Sequence, residues 1–416
     1  MLFLSVAAGF ILGICSGLTP GLHTNNFAAL LLALSPNLLT AGVQPDHLAA
    51  AILAASISHT FLDIIPTVFI GAPDADCALA VLPGHSLMLE GRGAEAIRLS
   101  AIGSAGSVIV ALLLVVPLTV LFGSFYDLFM RYIGIVLMAI VALMILTEQG
   151  PVIEGQGSLV TLKYKLLAAV LFITSGLLGL FAFQNEDLAT SPLGLSGEVL
   201  LPLLSGLFGA SLLILSIAYH AKVPAQIDTC FDITGRSLVK STFMGGLAGS
   251  VVAWVPGVTP AVATLVTRLG APSSSEEFLV SVSGVNTANA LFTVVALYAI
   301  GRPRSGAAAA IESLVKIDEN LLIEMIIIIL ATAFLSYLTT IWAGRLAAKA
   351  IRRVNYRKLC AVVLFCLLAM SFVFTGWFGG FLFLTSTTIG LIAPLAKIRK
   401  THAMGVLMLP LLVYYL

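Results

Sequence analysis

The chain has 416 residues, 59% of them hydrophobic and only 10% charged, with a mean hydropathy of +1.08 and a formal net charge of +1. A soluble domain carries about a quarter charged residues, so a water-soluble fold is excluded. The near-zero charge, with no basic stretch interleaved with aromatics, excludes a nucleic-acid partner, and the lack of a G-x-x-x-x-G-K-[ST] loop excludes nucleotide hydrolysis as the energy source.

In chain order, MLFLSVAAGFILGICSG lacks the basic start of a signal peptide and is read as a retained first helix. It runs into Thr19-Pro20-Gly21-Leu22-His23-Thr24-Asn25-Asn26. Proline removes a backbone donor, and polar side chains are costly in hydrocarbon, so a helix break lining a cavity is predicted there. In the apolar helix that follows, Ser56, His59 and Asp63 fall at i, i+3 and i+7, on one face. A second break is expected at Gly71-Ala72-Pro73-Asp74-Ala75-Asp76. The stretches 101–122, 132–147, 166–182, 199–219, 321–343 and 359–374 are almost free of charge and predict membrane-crossing helices. The second half carries Trp254-Val255-Pro256-Gly257-Val258-Thr259-Pro260, then Asn286, Asn289 and Thr293 at the same i, i+3, i+7 spacing, then Gly301-Arg302-Pro303-Arg304. The five cysteines show no metal-binding spacing and are read as buried thiols.

The two halves echo each other. Gly9, Gly13, Pro20 and Gly21 recur 236 positions later as Gly245, Gly249, Pro256 and Gly257, and Ile70-Gly71-Ala72-Pro73 recurs 230 positions later as Ile300-Gly301-Arg302-Pro303. This predicts two transmembrane repeats, 1–222 and 223–416. Basic residues crowd 345–358 and 397–400, two crossings apart around the neutral turn Gly376-Trp377-Phe378-Gly379-Gly380, which puts both loops on the cytoplasmic side. In the first half the loop 184–196 has no Lys or Arg, so equivalent loops face opposite sides and the repeats are inverted. The expected fold is an all-α integral membrane protein of the cell membrane, multi-pass, with two inverted-topology repeats, broken helices, candidate re-entrant hairpins and about 10–14 membrane segments.

Each candidate residue has a plain reading beside the functional one. His59 and Asp63 are candidates for carrying a coupling proton or Na⁺, because an ionisable pair in an apolar segment is costly; the plain alternative is a mutually bonded structural pair. Arg302 and Arg304 are candidates for bidentate contact with carboxylate or phosphate, against arginines snorkelling at the lipid interface. Thr24, Asn25 and Asn26 could bind substrate or cap a turn. Pro20, Gly21, Pro256, Gly257 and Thr259 form the paired breaks, whose helix ends offer free amides. Asn286 and Asn289 form the second polar stripe, expected to meet the first.

These motifs resemble the TctA family, the large membrane subunit of tripartite tricarboxylate transporters. Gly13-x-x-x-Gly17-x-x-Pro20-Gly21 matches the family's first Pro-Gly segment, and Leu89-Glu90-Gly91-Arg92-Gly93-Ala94-Glu95-Ala96 is similar to its small-residue loop. Val285-Asn286-Thr287-Ala288-Asn289-Ala290 resembles its Asn-rich run, and Gly301 to Ala308 its following turn. Pro-Gly-Leu-His23 replaces the usual Pro-Gly-Leu-Gly, and the Glu of the Asn-rich run is absent, which marks a divergent branch, one that could stand alone. The resemblance implies a carboxylate substrate, a small membrane subunit and a soluble binding protein as partners.

The reading reached is a secondary active transporter of a small organic anion, working by alternating access, without a bound cofactor and with H⁺ or Na⁺ as the coupling ion. The alternative is a transporter or flippase of a lipid-linked anion such as polyprenyl phosphate. An enzyme is not expected, since no nucleophile–base pair or H-E-x-x-H spacing is present. A homodimer is left open.

Overall fold

The computed structural model describes residues 1–20, 24–72, 78–150, 158–192, 199–219, 223–227, 231–255, 260, 263–264 and 274–416. Gly21, Pro256, Gly257 and Thr259 lie outside the described residues, as do the side chains of Asn25 and Asn26. Helices make up the regular structure. They are α1 (Leu2–Leu18), α2 (Thr24–Thr40), α3 (Pro45–Leu62), α4 (Ile64–Phe69), α5 (Val81–Leu89), α6 (Gly93–Leu146) and α7 (Ser158–Gln184). Next come α8 (Leu200–Leu204), a π-turn (Ser205–Ala210), α9 (Ser211–Ala218), α10 (Gly235–Val252) and α11 (Ser275–Ile300). The chain ends with α12 (Gly306–Leu314), α13 (Glu319–Ala350), α14 (Tyr356–Ala396) and α15 (Gly405–Tyr415).

Among the described residues seven helical segments are long and apolar enough to cross a bilayer. Burial separates them. In Pro45–Phe69 and Ser275–Ile300, 94% and 89% of the most apolar window is covered by protein, whereas in Gly93–Leu146 and Tyr356–Ala396 only 22% and 33% is. The first two are interior helices; the last two show most of their side chains outward, to lipid. Cys15 and Cys366 are exposed on membrane helices, not buried as expected, and Cys360 is buried.

The chain forms two compact units. The first joins Met1–Ser124 to His220–Cys360, and the second joins Phe125–Tyr219 to Ala361–Leu416. Each unit therefore takes residues from both sequence halves.

In the first unit α1 packs on α3, and α10 packs on α11. The approach is close because glycines line it. A Cβ on Gly9 or Gly13 would run into the carbonyls of Ala51 and Ala55, and one on Gly245 or Gly249 into those of Ser281 and Val285. These glycines are related by 236 positions and the carbonyls they meet by 230, the two offsets seen in the sequence. Gly71 and Gly301, also 230 apart, both take positive φ, 79° and 60°, where each closes a helix. The first break falls as expected: α1 ends at Leu18, Thr19 is extended, Pro20 sits in a turn and α2 starts at Thr24.

One difference separates the interior helices. Ser275–Ile300 runs unbroken, whereas Pro45–Phe69 is interrupted at Asp63. Pro66 is the physical cause: it has no N–H to give the Leu62 carbonyl, four residues earlier. In the second unit α14 is two arms, 356–375 and 377–396, divided at Gly376 with φ 63° and ψ −154°. This is the turn expected from its Gly-Trp-Phe-Gly-Gly sequence. Ser191 fixes its approach by donating to the Val373 carbonyl at 2.8 Å.

Candidate functional site

The polar cluster of the first unit forms where α3 is interrupted. Asp63 caps α3 and starts α4, its N–H donating to the His59 carbonyl at 3.0 Å. Its Oδ2 accepts from Asn286 Nδ2 of α11 at 2.9 Å. One turn earlier, the hydroxyls of Thr60 and Thr287 are 3.3 Å apart, and Thr340 of α13 donates to the Phe61 carbonyl at 3.2 Å. Three helices thus place polar groups on one level of an otherwise apolar interior. Asp63 and Asn286 are each 2% exposed and Thr287 is fully buried. A carboxylate in such surroundings is costly unless partnered, so its partners are part of the site.

His59 faces the other way, to α1. Its Nδ1 lies 2.9 Å from Ser16 Oγ, and that hydroxyl also reaches the Gly13 carbonyl at 3.1 Å. When Ser16 donates to Gly13, the His59 ring N–H is the donor to Ser16. The glycine spacing that brings α1 against α3 thereby brings Ser16 to His59. Beside this pair is a cavity of ≈ 10 Å³, lined in its polar part by Ser16, Thr24 and Ser56, enough for about one water molecule.

The structure therefore joins Asp63 to Asn286, as the paired polar stripes predicted, and places Thr24 by the His59 end. Pro20 is half-buried in the turn after α1, and Asn25 and Asn26 lie in the first turn of α2. Asn289 is half-buried one turn beyond Asn286. Arg302 is exposed and Arg304 half-buried, on the short loop between α11 and α12; α12 packs on α2 and α3. Ser16, Thr60, Thr287 and Thr340 were not singled out from sequence. A lone hydroxyl in an apolar helix most often bonds its own helix backbone, as Thr174 and Ser250 do here, so nothing in the sequence marks those that reach across.

A second polar assembly staples the loop before α6. Arg92 bonds both oxygens of buried Glu95, each at 2.9 Å, and reaches Glu276 at 2.8 Å in the first turn of α11. The backbone N–H of Asp232 donates to Glu95, and Gln226 bridges the Gly93 N–H and the Met88 carbonyl. Hydrogen bonding to Glu95 raises the Arg92 pKa further above its ordinary value.

In the second unit, Glu148 is buried just beyond α6. It accepts from the Gly150 N–H at 2.9 Å, Arg399 Nε at 2.9 Å and His402 Nε2 at 2.7 Å. Burial alone raises a carboxyl pKa; these donors outweigh it and hold Glu148 well below the usual carboxylate range. The basic run 397–400 is thus not a simple solvated loop. Arg399 is tied to Glu148, and Lys400 is buried, because its aliphatic stem turns inward.

Comparison with known proteins agrees with the motifs. The model of the family described as tripartite tricarboxylate transporter TctA matches residues 3–405. An uncharacterized protein of Methanocaldococcus jannaschii is 28% identical over 421 residues, spanning 98% of this chain and 97% of that one. No solved structure matches. The family is one of membrane transport proteins and not of enzymes, and the seven apolar segments fit a multi-pass membrane protein. The chain belongs to the tripartite tricarboxylate transporter TctA family.

Proposed function

We propose that this chain is the membrane carrier for a small organic anion of the carboxylate type, driven by an ion gradient. The observation that carries the reading is the Asp63–Asn286 bond, 2.9 Å long, buried at the interruption of an interior helix. An ionisable group held at that depth by a neutral amide can change its charge state or its partner with little rearrangement, which is what coupling to H⁺ or Na⁺ requires. His59, with Ser16 and the adjoining water-sized cavity, supplies a second exchangeable group on the same helix. In this reading the paired Pro-Gly breaks, with Pro20, Thr24, Asn25, Asn26 and Asn289, line the substrate path. Arg302 and Arg304 meet the carboxylates. Access alternates as one repeat moves against the other. Family membership supports a small membrane subunit and a soluble binding protein as partners.

The test is uptake of radiolabelled citrate into proteoliposomes, with and without those partners, under an imposed Na⁺ or pH gradient. Gradient-dependent uptake is expected, lost or uncoupled in Asp63→Asn. Unchanged coupling in a folded Asp63→Asn protein would remove the residue from this role. Transfer of a polyprenyl phosphate in place of citrate would favour the lipid-linked substrate.

A further inference from the structure

The five-residue turn Lys400–Met404 of the second unit, with Arg399 just before it, divides its basic side chains between two duties. Arg399 and His402 hold Glu148. Lys400 reaches into the π-turn instead: Nζ donates to the Phe208 carbonyl at 2.8 Å and to Ser211 Oγ at 2.7 Å, and lies 5.7 Å from the centroid of the Phe208 ring. Lys400 is 5% exposed, Phe208 1% and Ser211 fully buried. Both acceptors are neutral, and Lys400 forms no ion pair among the described residues. Structural buried lysines are normally matched with a carboxylate, because an unmatched buried ammonium costs several kcal/mol. Here Glu148, the buried carboxylate among the described residues of this region, is already bound by two other side chains.

Among the described residues the surroundings contain nothing else that would hold the charge. Leu200–Ala218 carries no ionisable side chain. α7, which packs on the turn, brings only Lys163, Tyr164 and Lys165 in its first two turns, α15 only Tyr414 and Tyr415 at its end, and the second arm of α14, which packs on the π-turn, none. Arg399, just before the turn, adds positive rather than negative character. Lys400 lies outside the candidate spans, and burial pushes its pKa down to about 7. π-turns are rare and concentrate at functional sites.

We propose that Lys400 is a reversible proton-binding site of the second unit, mounted on the Ser205–Ala210 π-turn. With the proton bound, the ammonium donates to Phe208 and Ser211, while the Ser211 hydroxyl donates to the Leu207 carbonyl at 2.7 Å. When the proton leaves to water, Nζ keeps two hydrogens and gains a lone pair. The Ser211 hydroxyl then turns to donate to that lone pair and releases Leu207, loosening the π-turn. Ammonium and amine therefore select different hydrogen-bond patterns in the same helix. The site differs from the Asp63 cluster and does not depend on which substrate is carried.

The experiment is ¹⁵N NMR of the full chain in nanodiscs with ¹⁵Nζ-labelled lysine, titrated from acid to alkaline pH. One lysine resonance should titrate between about pH 6 and 8 while exposed lysines stay charged past pH 9. That resonance should vanish in Lys400→Arg and in Lys400→Gln, and shift in the milder Ser211→Ala, so a folding failure of one variant still leaves the assignment. Hydrogen exchange across 200–219, corrected for intrinsic rates, should accelerate through the same pH range in the wild type and stay flat in Lys400→Arg. A resonance assigned to Lys400 that remains charged beyond pH 9 would overturn the proposal, as would exchange that tracks pH identically in Lys400→Arg.

Discussion

The amide of Asn286 donates to the carboxylate of Asp63 across 2.9 Å, joining the two most buried candidate membrane segments of the chain. Asn286→Ala removes the amide donor from this buried carboxylate. Asn286→Ala should lower stability by about 1.5–3 kcal/mol, the worth of a hydrogen bond to a charged group. Asn286→Asp, which sets two carboxylates together, should cost more or force one to bind a proton. Thermal denaturation in detergent checks both, and equal melting of Asn286→Ala and wild type would show the bond to be dispensable.

The matched glycines make a paired prediction. Gly13→Ala and Gly249→Ala each drive a methyl group into a carbonyl of the facing helix, at Ala55 and Val285. Overpacking of this kind costs about 1–3 kcal/mol or more, since backbone cannot step aside as a side chain can. Both variants should lose stability by similar amounts. Gly123→Ala has open space around its new methyl and should be neutral or slightly stabilising. Fluorescence-detected size exclusion after heating ranks the three.

Glu148 gives a pH dependence with a defined sign. Its pKa is depressed in the folded protein, so its contribution is complete above the unfolded carboxylate value of about 4.3. That contribution fades as pH falls below this value toward the folded pKa. The wild type should therefore lose melting temperature on acidification below about pH 5 more steeply than Glu148→Gln. Parallel curves would mean that the Arg399 and His402 bonds add nothing to folding.

Arg92 closes the loop before α6. Arg92→Gln takes from fully buried Glu95 its guanidinium partner, leaving it the Asp232 N–H, and the expected loss is about 3 kcal/mol, the low end for breaking a buried pair from one side. Arg92→Lys should recover only part, because an ammonium cannot bond both Glu95 oxygens as the guanidinium fork does. Limited proteolysis around Gln226 and Asp232, both tied to this loop, reports the loosening.

Much of this could be read from the residues themselves. Gly9, Gly13, Gly245 and Gly249 stood out in the sequence as a recurrence 236 positions apart, but that they let helices pack backbone to backbone emerges only from the structure. That two polar stripes of equal spacing would meet was legible, although the 230 offset aligns Asn286 with Ser56 and the bond it forms is to Asp63. The pairing of His59 was not. The sequence suggested a bond with Asp63, four residues away, whereas the ring meets Ser16 on a helix 43 positions earlier. Lys400 was misread as a loop charge, since charge counting assigns every lysine between apolar stretches to water and cannot see a stem that folds inward. Nor does any local pattern announce Glu148, whose partners come from 251 and 254 positions downstream.

Pro66 has no counterpart in the second copy, where the aligned position is Ala296. This single ring removes a rung from the hydrogen-bond ladder of one interior helix and leaves the ladder of the other whole. The buried carboxylate of Asp63 thus sits where its own helix lacks a backbone bond, while its partner Asn286 sits on the continuous one.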